Sequence, residues 1–169
     1  ISGSEKLDGS LARFIRVNGQ VRARTQKRIL AHEGDTWADG SPLGSAPHTV
    51  LIQNLYETNE DLRNFVNHCL DNNIAAMFEY QDPEFQIVVK PEEISLRLIQ
   101  ARDETTGDYL DLNQFEGMIE ITPQMKQEEL NLDVLKEMRE NIIGIEGWVI
   151  NGEGVLVKIK TKWYDILHD

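Results

Sequence analysis

Apolar positions along the chain fall into two alternating registers and two helical ones. Two β-favouring stretches within residues 11–25 flank Asn18-Gly19, the dipeptide that most readily takes the positive φ angles of a tight turn, and so predict a hairpin. Lys6 would lie just before its first strand. Leu62, Phe65, Val66, Cys69 and Leu70 recur at helical spacing after Asn59, a capping residue, and Asn72-Asn73 ends that helix. Residues 75–80, 86–90, 95–102 and 109–112 read as successive strands, with Asp82-Pro83 and Thr106-Gly107 as turns between them. A second amphipathic helix is carried by Leu130, Val134, Leu135, Met138 and Ile142 and closed by Gly144. Residues 147–150 and 155–163 return to strands around Asn151-Gly152, while residues 33–48, rich in Gly, Ser, Pro and Asp, predict a long surface loop. Strands joined by hairpin-like turns with helices between them predict an α+β class with antiparallel sheets flanked by helices.

A chain of 169 residues buries one sizeable core but hardly two, so residues 1–169 are expected to form one unit. No apolar run reaches membrane-spanning length and the first residues lack the layout of a secretory signal, which predicts a soluble, cytoplasmic protein. Cys69 is the only cysteine, which excludes an internal disulfide or a thiolate cluster; its place on the apolar side of a helix predicts burial. His32, His48, His68 and His168 show no paired metal spacing, and no glycine-rich loop precedes a helix, so neither zinc nor P-loop chemistry is expected. The first residue is Ile rather than Met, as expected of a fragment, a processed chain or an incompletely described one.

The net charge of -12 argues against handling a polyanion, but its distribution changes that picture. Arg13, Arg16, Arg22, Arg24, Lys27 and Arg28 crowd one end and Lys158, Lys160 and Lys162 the other, with carboxylates between. If the ends pack together, a basic floor sits in an acidic body; otherwise these are solvated strand faces.

The strongest chemical constellation is Lys6-Leu7-Asp8-Gly9-Ser10 at one end, Val157-Lys158-Ile159-Lys160 at the other, and Glu79 and Glu146 between. Strand alternation puts Lys158 and Lys160 on one face, with Val157 and Ile159 entering the core. Two ammonium groups on one face repel unless an anion lies between them, and a phosphate would fill that place; two solvated lysines are the plainer account. Lysine is a nucleophile only when neutral, a state that surrounding cations favour, so Lys158 and Lys160 could activate Lys6. Glu79 is flanked by Phe78 and Tyr80, and Glu146 by Ile145 and Gly147 with Trp148 beyond. Carboxylates in such strands ordinarily point at solvent, yet two beside a phosphate site could hold hydrated Mg²⁺.

In order and spacing, Lys-x-Asp-Gly, an aromatic-flanked Glu, Glu-Gly-Trp-Val and Lys-x-Lys resemble the motif set of the covalent nucleotidyltransferases, which comprise ATP-dependent ligases and RNA-capping enzymes. The match is most similar to the phage tRNA-repair type of RNA ligase, RNA ligase family 1. It is carried by Lys6-Leu7-Asp8-Gly9-Ser10-Leu11, by Phe78-Glu79-Tyr80 with Pro83 and Ile87-Val88-Val89, and by Arg102 with Thr106-Gly107-Asp108-Tyr109. Ile145-Glu146-Gly147-Trp148-Val149 and Val157-Lys158-Ile159-Lys160-Thr161-Lys162-Trp163-Tyr164 with Leu167-His168 complete it.

That resemblance implies an ATP-grasp-like adenylation fold, ATP as AMP donor, Mg²⁺ or Mn²⁺, and RNA with 5′-phosphate and 3′-hydroxyl ends, a broken tRNA among the candidates. Lys6 would attack the α-phosphate, Lys158 and Lys160 would neutralise the charge growing there, and Glu79 and Glu146 would hold the metal or the ribose. Nucleotide-binding roles fall to Glu5, Lys6, Asp8, Phe78, Glu79, Glu146, Lys158 and Lys160, with Phe78 enclosing the adenine. Arg24 or Lys27 would be the basic residue that follows the nucleophile by about twenty positions. Relatives carry Asn-Arg where this chain has Phe85-Gln86, and they have a phosphate-binding segment upstream and an RNA-selecting domain downstream that these 169 residues are expected to lack. A DNA ligase, a capping guanylyltransferase, or a nucleotide- or RNA-binding module without turnover are the alternatives.

Overall fold

The structure is a computed structural model and describes residues 1–24, 47–84 and 91–168. Lys27, the expected strand at residues 86–90 and most of the expected loop lie outside the described residues. Pro47 and His48, the end of that loop, begin a helix instead.

The described elements are β1 (Ser2–Lys6), β2 (Ser10–Val17), β3 (Gln20–Arg24), α1 (Pro47–Thr58), α2 (Glu60–Asp71), β4 (Ile74–Gln81), β5 (Ser95–Asp103), α3 (Leu132–Asn141), β6 (Gly147–Gly152), β7 (Val155–Lys160) and α4 (Lys162–His168). They make two antiparallel sheets, a large one in the order β3-β2-β4-β5 and a small one in the order β1-β6-β7.

The predicted hairpin closes at Asn18 (φ 51°) and Gly19 (φ 78°), and α2 carries the expected Asn59 cap, whose side chain accepts from the Leu62 amide. The apolar stripe of α2 and Ile52 of α1 cover one face of the large sheet. There Phe14, Phe65 and Phe78 meet edge to face, with Phe65 in turn against Phe115. Cys69 sits in this core, where burial pushes its thiol up to about 11. At the free edge of the large sheet, the Gln53 amide of α1 accepts from the Ala23 N–H at 2.6 Å and donates to the Val21 carbonyl at 3.2 Å. It satisfies β3 as another strand would.

Several expectations fail for local reasons. Lys6 does not precede the first strand; it ends β1. Ser2–Lys6 shows no apolar alternation, and what makes it a strand is pairing with β6 on one side and with Gly3, Ser4 and Glu5 bonding to residues 123–125 on the other. Residues 109–112 form a single bridge, Tyr109 to Arg102, and then a short 3-10 turn (Leu112–Phe115). The Asp111 carboxylate accepts from the Asn113 amide and diverts the chain from extension.

The last hairpin turns at Glu153-Gly154 (φ 53° and 81°), two residues beyond Asn151-Gly152, because the Asn151 side chain is engaged by Gly154 and by the Tyr109 carbonyl. The final strand stops at Lys160, and Trp163 belongs to α4. Val157 does not enter the core: β7 is an edge strand and this side chain is 56% exposed, while Ile159 is half-buried. No helix of the described residues is long and apolar enough to cross a membrane.

Candidate active site between two sheets

Strand register decides which side chains share a face. In the small sheet Lys6 stands opposite Gly147, which stands opposite Lys160. One step along, Ser4, Val149 and Lys158 form the next row, so Lys6, Lys158 and Lys160 project from the same face. Gly147 lies between two lysine-bearing strands because a Cβ there would overlap the Ile159 carbonyl and the Lys160 backbone. In the large sheet Leu11 stands opposite Glu79, which stands opposite Arg97; Arg13 and Arg24 pair further along β2 and β3. The face that carries Glu79 therefore also carries Arg13, Arg22 and Arg24, and the aromatic core lies on the other side of the sheet.

The two faces meet. A small cavity is lined by Ser4, Val149 and Asn151 from one sheet and Ile99 and Ala101 from the other. At the near end, Lys6 Nζ lies 2.7 Å from Glu146 Oε1. Glu79 senses Lys6, Glu146 and Asp8 electrostatically and accepts a bond from the Gly9 backbone. Gly9 allows this approach, since a Cβ there would overlap the Tyr80 carbonyl. The Gln81 amide donates to the Asp8 carbonyl at 3.0 Å and fixes the turn between β1 and β2.

Both glutamates are buried, each 6% exposed, contrary to the expectation that carboxylates in these strands face solvent. Burial is the main cause that pushes Glu79 up to about 8; Lys6 opposes the shift, and Glu146 and Asp8 add to it. Glu146, Asp8 and Glu79 lie about the single Lys6 ammonium, so carboxyl groups outnumber cations in a site of low solvent access. A divalent cation would relieve that excess, and Glu79 and Glu146 are the two buried carboxylates that could hold one. Among the described residues no three His, Cys, Asp or Glu side chains are arranged to hold an ion by themselves. Magnesium suits such a site, because it ordinarily completes its shell with water and phosphate oxygens.

The remaining candidates divide. Lys158 and Lys160 are exposed on the rim, Lys160 with its Nζ 5.9 Å from the Tyr164 ring. Arg24 ends β3 on the Glu79 face. Arg16 lies on the opposite side, bound to Asp71 at 2.7 Å, so it does not join the other described basic residues of the set.

Phe78 is not positioned to enclose a base: it points into the aromatic core, 1% exposed, because it neighbours Glu79 on a strand and alternation sends the two opposite ways. The same alternation turns Glu5 away from Lys6. There it is half-buried, its carboxyl raised by burial and lowered by Arg97.

One residue of the cluster was not marked by its chemistry in the sequence. Tyr164, 4% exposed in α4, places its hydroxyl 3.4 Å from Asp8 Oδ1, with the Glu146 carboxylate near enough to act on it electrostatically. Burial first, then these two carboxylates, push its phenol up to about 12, so it stays a donor at neutral pH. The signal that marks it is Thr161, a cap residue three positions earlier that starts the helix carrying it.

The sequence model of the RNA ligase family matches residues 2–164, nearly the whole chain. The chain belongs to the RNA ligase family. A protein of Thermovibrio ammonificans named as an RNA ligase is 26% identical over 171 residues, a stretch that is 97% of this chain and 41% of that protein. Among solved structures, Naegleria gruberi RNA ligase with pyrophosphate superposes at a TM-score of 0.66, with 15% identity, over 99% of this chain and 51% of that one. A lysine-to-alanine variant of the same ligase with ATP and Mn superposes at 0.62, with 16% identity, over 96% and 49%. At that identity the likeness establishes the shared α+β fold. This chain spans about half the length of the Naegleria ligase and less than half of the Thermovibrio protein.

Proposed function

We propose that this RNA ligase family chain is the adenylation unit of an ATP-dependent RNA ligase, with Lys6 as the residue that takes AMP. The observation that carries this reading is the convergence of Lys6, Glu146, Glu79 and Asp8 from three separate parts of the chain onto one point between the sheets, with Lys158 and Lys160 on the rim of the same face. The family membership and the Naegleria ligase complexes with ATP and Mn, and with AMP and Mn, support ATP and a divalent ion as the reactants of this chain also.

In the first step the Lys6 amine attacks the α-phosphorus of ATP. An N–P bond forms, the P–O bond to the β-phosphate breaks, and pyrophosphate departs with the bonding pair. Glu146, 2.7 Å from Nζ, takes the proton that turns the Lys6 ammonium into the attacking amine, and the second proton, released as the N–P bond forms, passes to the departing pyrophosphate or to water. Lys158 and Lys160 neutralise charge on the phosphate oxygens, and Arg24, on the opposing sheet face, is placed for the outer phosphates. Glu79 and Glu146 would hold a divalent ion, which would supply further charge neutralisation. The AMP then passes to an RNA 5′-phosphate, and a 3′-hydroxyl displaces it as the ends join. RNA repair, with a broken tRNA as one such substrate, is the use this chemistry fits.

The test is the intact mass of the chain after incubation with ATP and Mg²⁺, with peptide mapping. One AMP on the peptide that contains Lys6 is the expected result. Labelling by GTP in place of ATP would assign a capping enzyme, and reversible binding with no covalent adduct would assign a binding module.

A further inference from the structure

Thr161 is 0% exposed, yet no chemistry in the proposed reaction uses it. Its hydroxyl is fully engaged. It donates to the Ile145 carbonyl at 2.8 Å, with the Glu146 carbonyl also near at 3.2 Å, and it accepts from the Tyr164 amide at 3.1 Å. Its own N–H donates to the Glu146 carbonyl at 2.8 Å. One side chain therefore clamps the backbone that carries the Glu146 carboxylate and caps the first turn of α4. The two groups it holds are the two that meet at Asp8 and Lys6: the Tyr164 phenol donates to Asp8 at 3.4 Å, and Glu146 accepts from Lys6 at 2.7 Å. The ring of contacts runs from Thr161 through Glu146 and Tyr164 to Asp8 and Lys6, and Thr161 closes it from behind without reaching the cleft.

We propose that Thr161 is a positioning residue for nucleotidyl transfer, whose hydroxyl sets the Glu146 carboxylate and the Tyr164 phenol at once against Lys6 and Asp8. The inference rests on the reading of Lys6 as nucleophile. A hydroxyl bonded to two elements fixes their separation more tightly than packing does, and a misplacement of about 1 Å at reacting groups costs on the order of a hundredfold in rate. Valine has nearly the same shape as threonine, so Thr161→Val removes the bonds and keeps the packing, whereas Thr161→Ser keeps the bonds and loses a methyl group.

The experiment follows single-turnover AMP labelling by Thr161→Val, Thr161→Ser, Tyr164→Phe and the Thr161→Val/Tyr164→Phe pair across ATP concentrations, with thermal melting of each. The expected result is a rate at saturating ATP about 10- to 100-fold lower for Thr161→Val with half-saturation within about threefold, and a serine variant within about threefold of wild type. The double variant should lose less than the product of the two single losses, because both act on the same groups. Thr161→Val labelling at the wild-type rate, or a serine variant as slow as the valine one, overturns the proposal. An unfolded Thr161→Val beside a wild-type-like Thr161→Ser also overturns it, since the hydroxyl would then serve folding alone. If wild type itself takes no AMP, the assignment of Lys6 fails, a result separate from any of these.

Discussion

The two faces of β4 are made by neighbouring residues and could hardly differ more. Phe78 faces α2 in a dry aromatic cluster; Glu79, the next residue, faces the small sheet among Lys6, Glu146 and Asp8. Both side chains are buried, but one face gains from the loss of water and the other is penalised by it. A phenylalanine in its cluster is stabilised by every contact it makes. A carboxylate so placed is pushed up to about 8 by burial, against which Lys6 and the Gly9 N–H give only partial relief. The difference separates residues that hold this fold together from residues that the fold holds at a cost, and the second group marks the site.

The sharpest way to break the comparison is Lys6→Ala. AMP labelling, followed by intact mass, should fall to background. Because Lys6 lies within β1 and pairs with buried Glu146, some loss of melting temperature is also expected, through the carboxylate it leaves unpaired. Labelling of a Lys6→Ala protein would remove the nucleophile from the site face altogether.

On the other face, Phe78→Ala should lower unfolding free energy by about 3–5 kcal/mol in a denaturant titration, through the cavity it opens among Phe14 and Phe65. A stable Phe78→Ala protein whose affinity for ATP collapses would return Phe78 to the adenine. Lys160→Ala and Lys158→Ala should each slow AMP labelling by about 10²- to 10³-fold while melting stays within about 2 °C of wild type, since both side chains are exposed.

The smallest effect is expected from Glu79→Gln in the nucleotide-free protein. The folded carboxyl titrates near 8 against a reference of 4.5, so the stability tied to its neutral form is fully present below about 4.5 and lost as pH rises through about 8. Melting curves from pH 4.5 to 9 should show that decline in wild type, on the order of 2–4 kcal/mol, and its absence in Glu79→Gln. A wild-type profile that is flat over this range would mean that Glu79 is not desolvated as the structure has it.

Much of the fold was legible where local chemistry is decisive. Asn18-Gly19 can make only a few turns, and the spacing of Leu62, Phe65, Val66 and Cys69 fits only a helix with one buried side. The misreadings have a common cause. Ser2–Lys6 is a strand by virtue of partners 120 to 150 residues away, and nothing in Ser-Gly-Ser-Glu-Lys itself favours extension. The turn at Glu153-Gly154 and the end of β7 at Lys160 were set by single side chains, Asn151 and Thr161, whose hydrogen bonds displace a boundary by two or three residues. The resemblance implies an adenine contact for Phe78, but it neighbours Glu79 in a strand, and neighbours in a strand diverge.

By itself the sequence determined the family and the α+β class, because motif order and local periodicity are properties of the chain in one dimension. Which way Phe78 and Glu5 point, that Glu146 rather than another lysine is the immediate partner of Lys6, that both glutamates are buried, and that Tyr164 joins them were decided only in three dimensions. Register between distant strands fixes these facts. A shift of one residue in β1 against β6 would turn Lys6 out of the cleft, and no local feature of the sequence specifies that register.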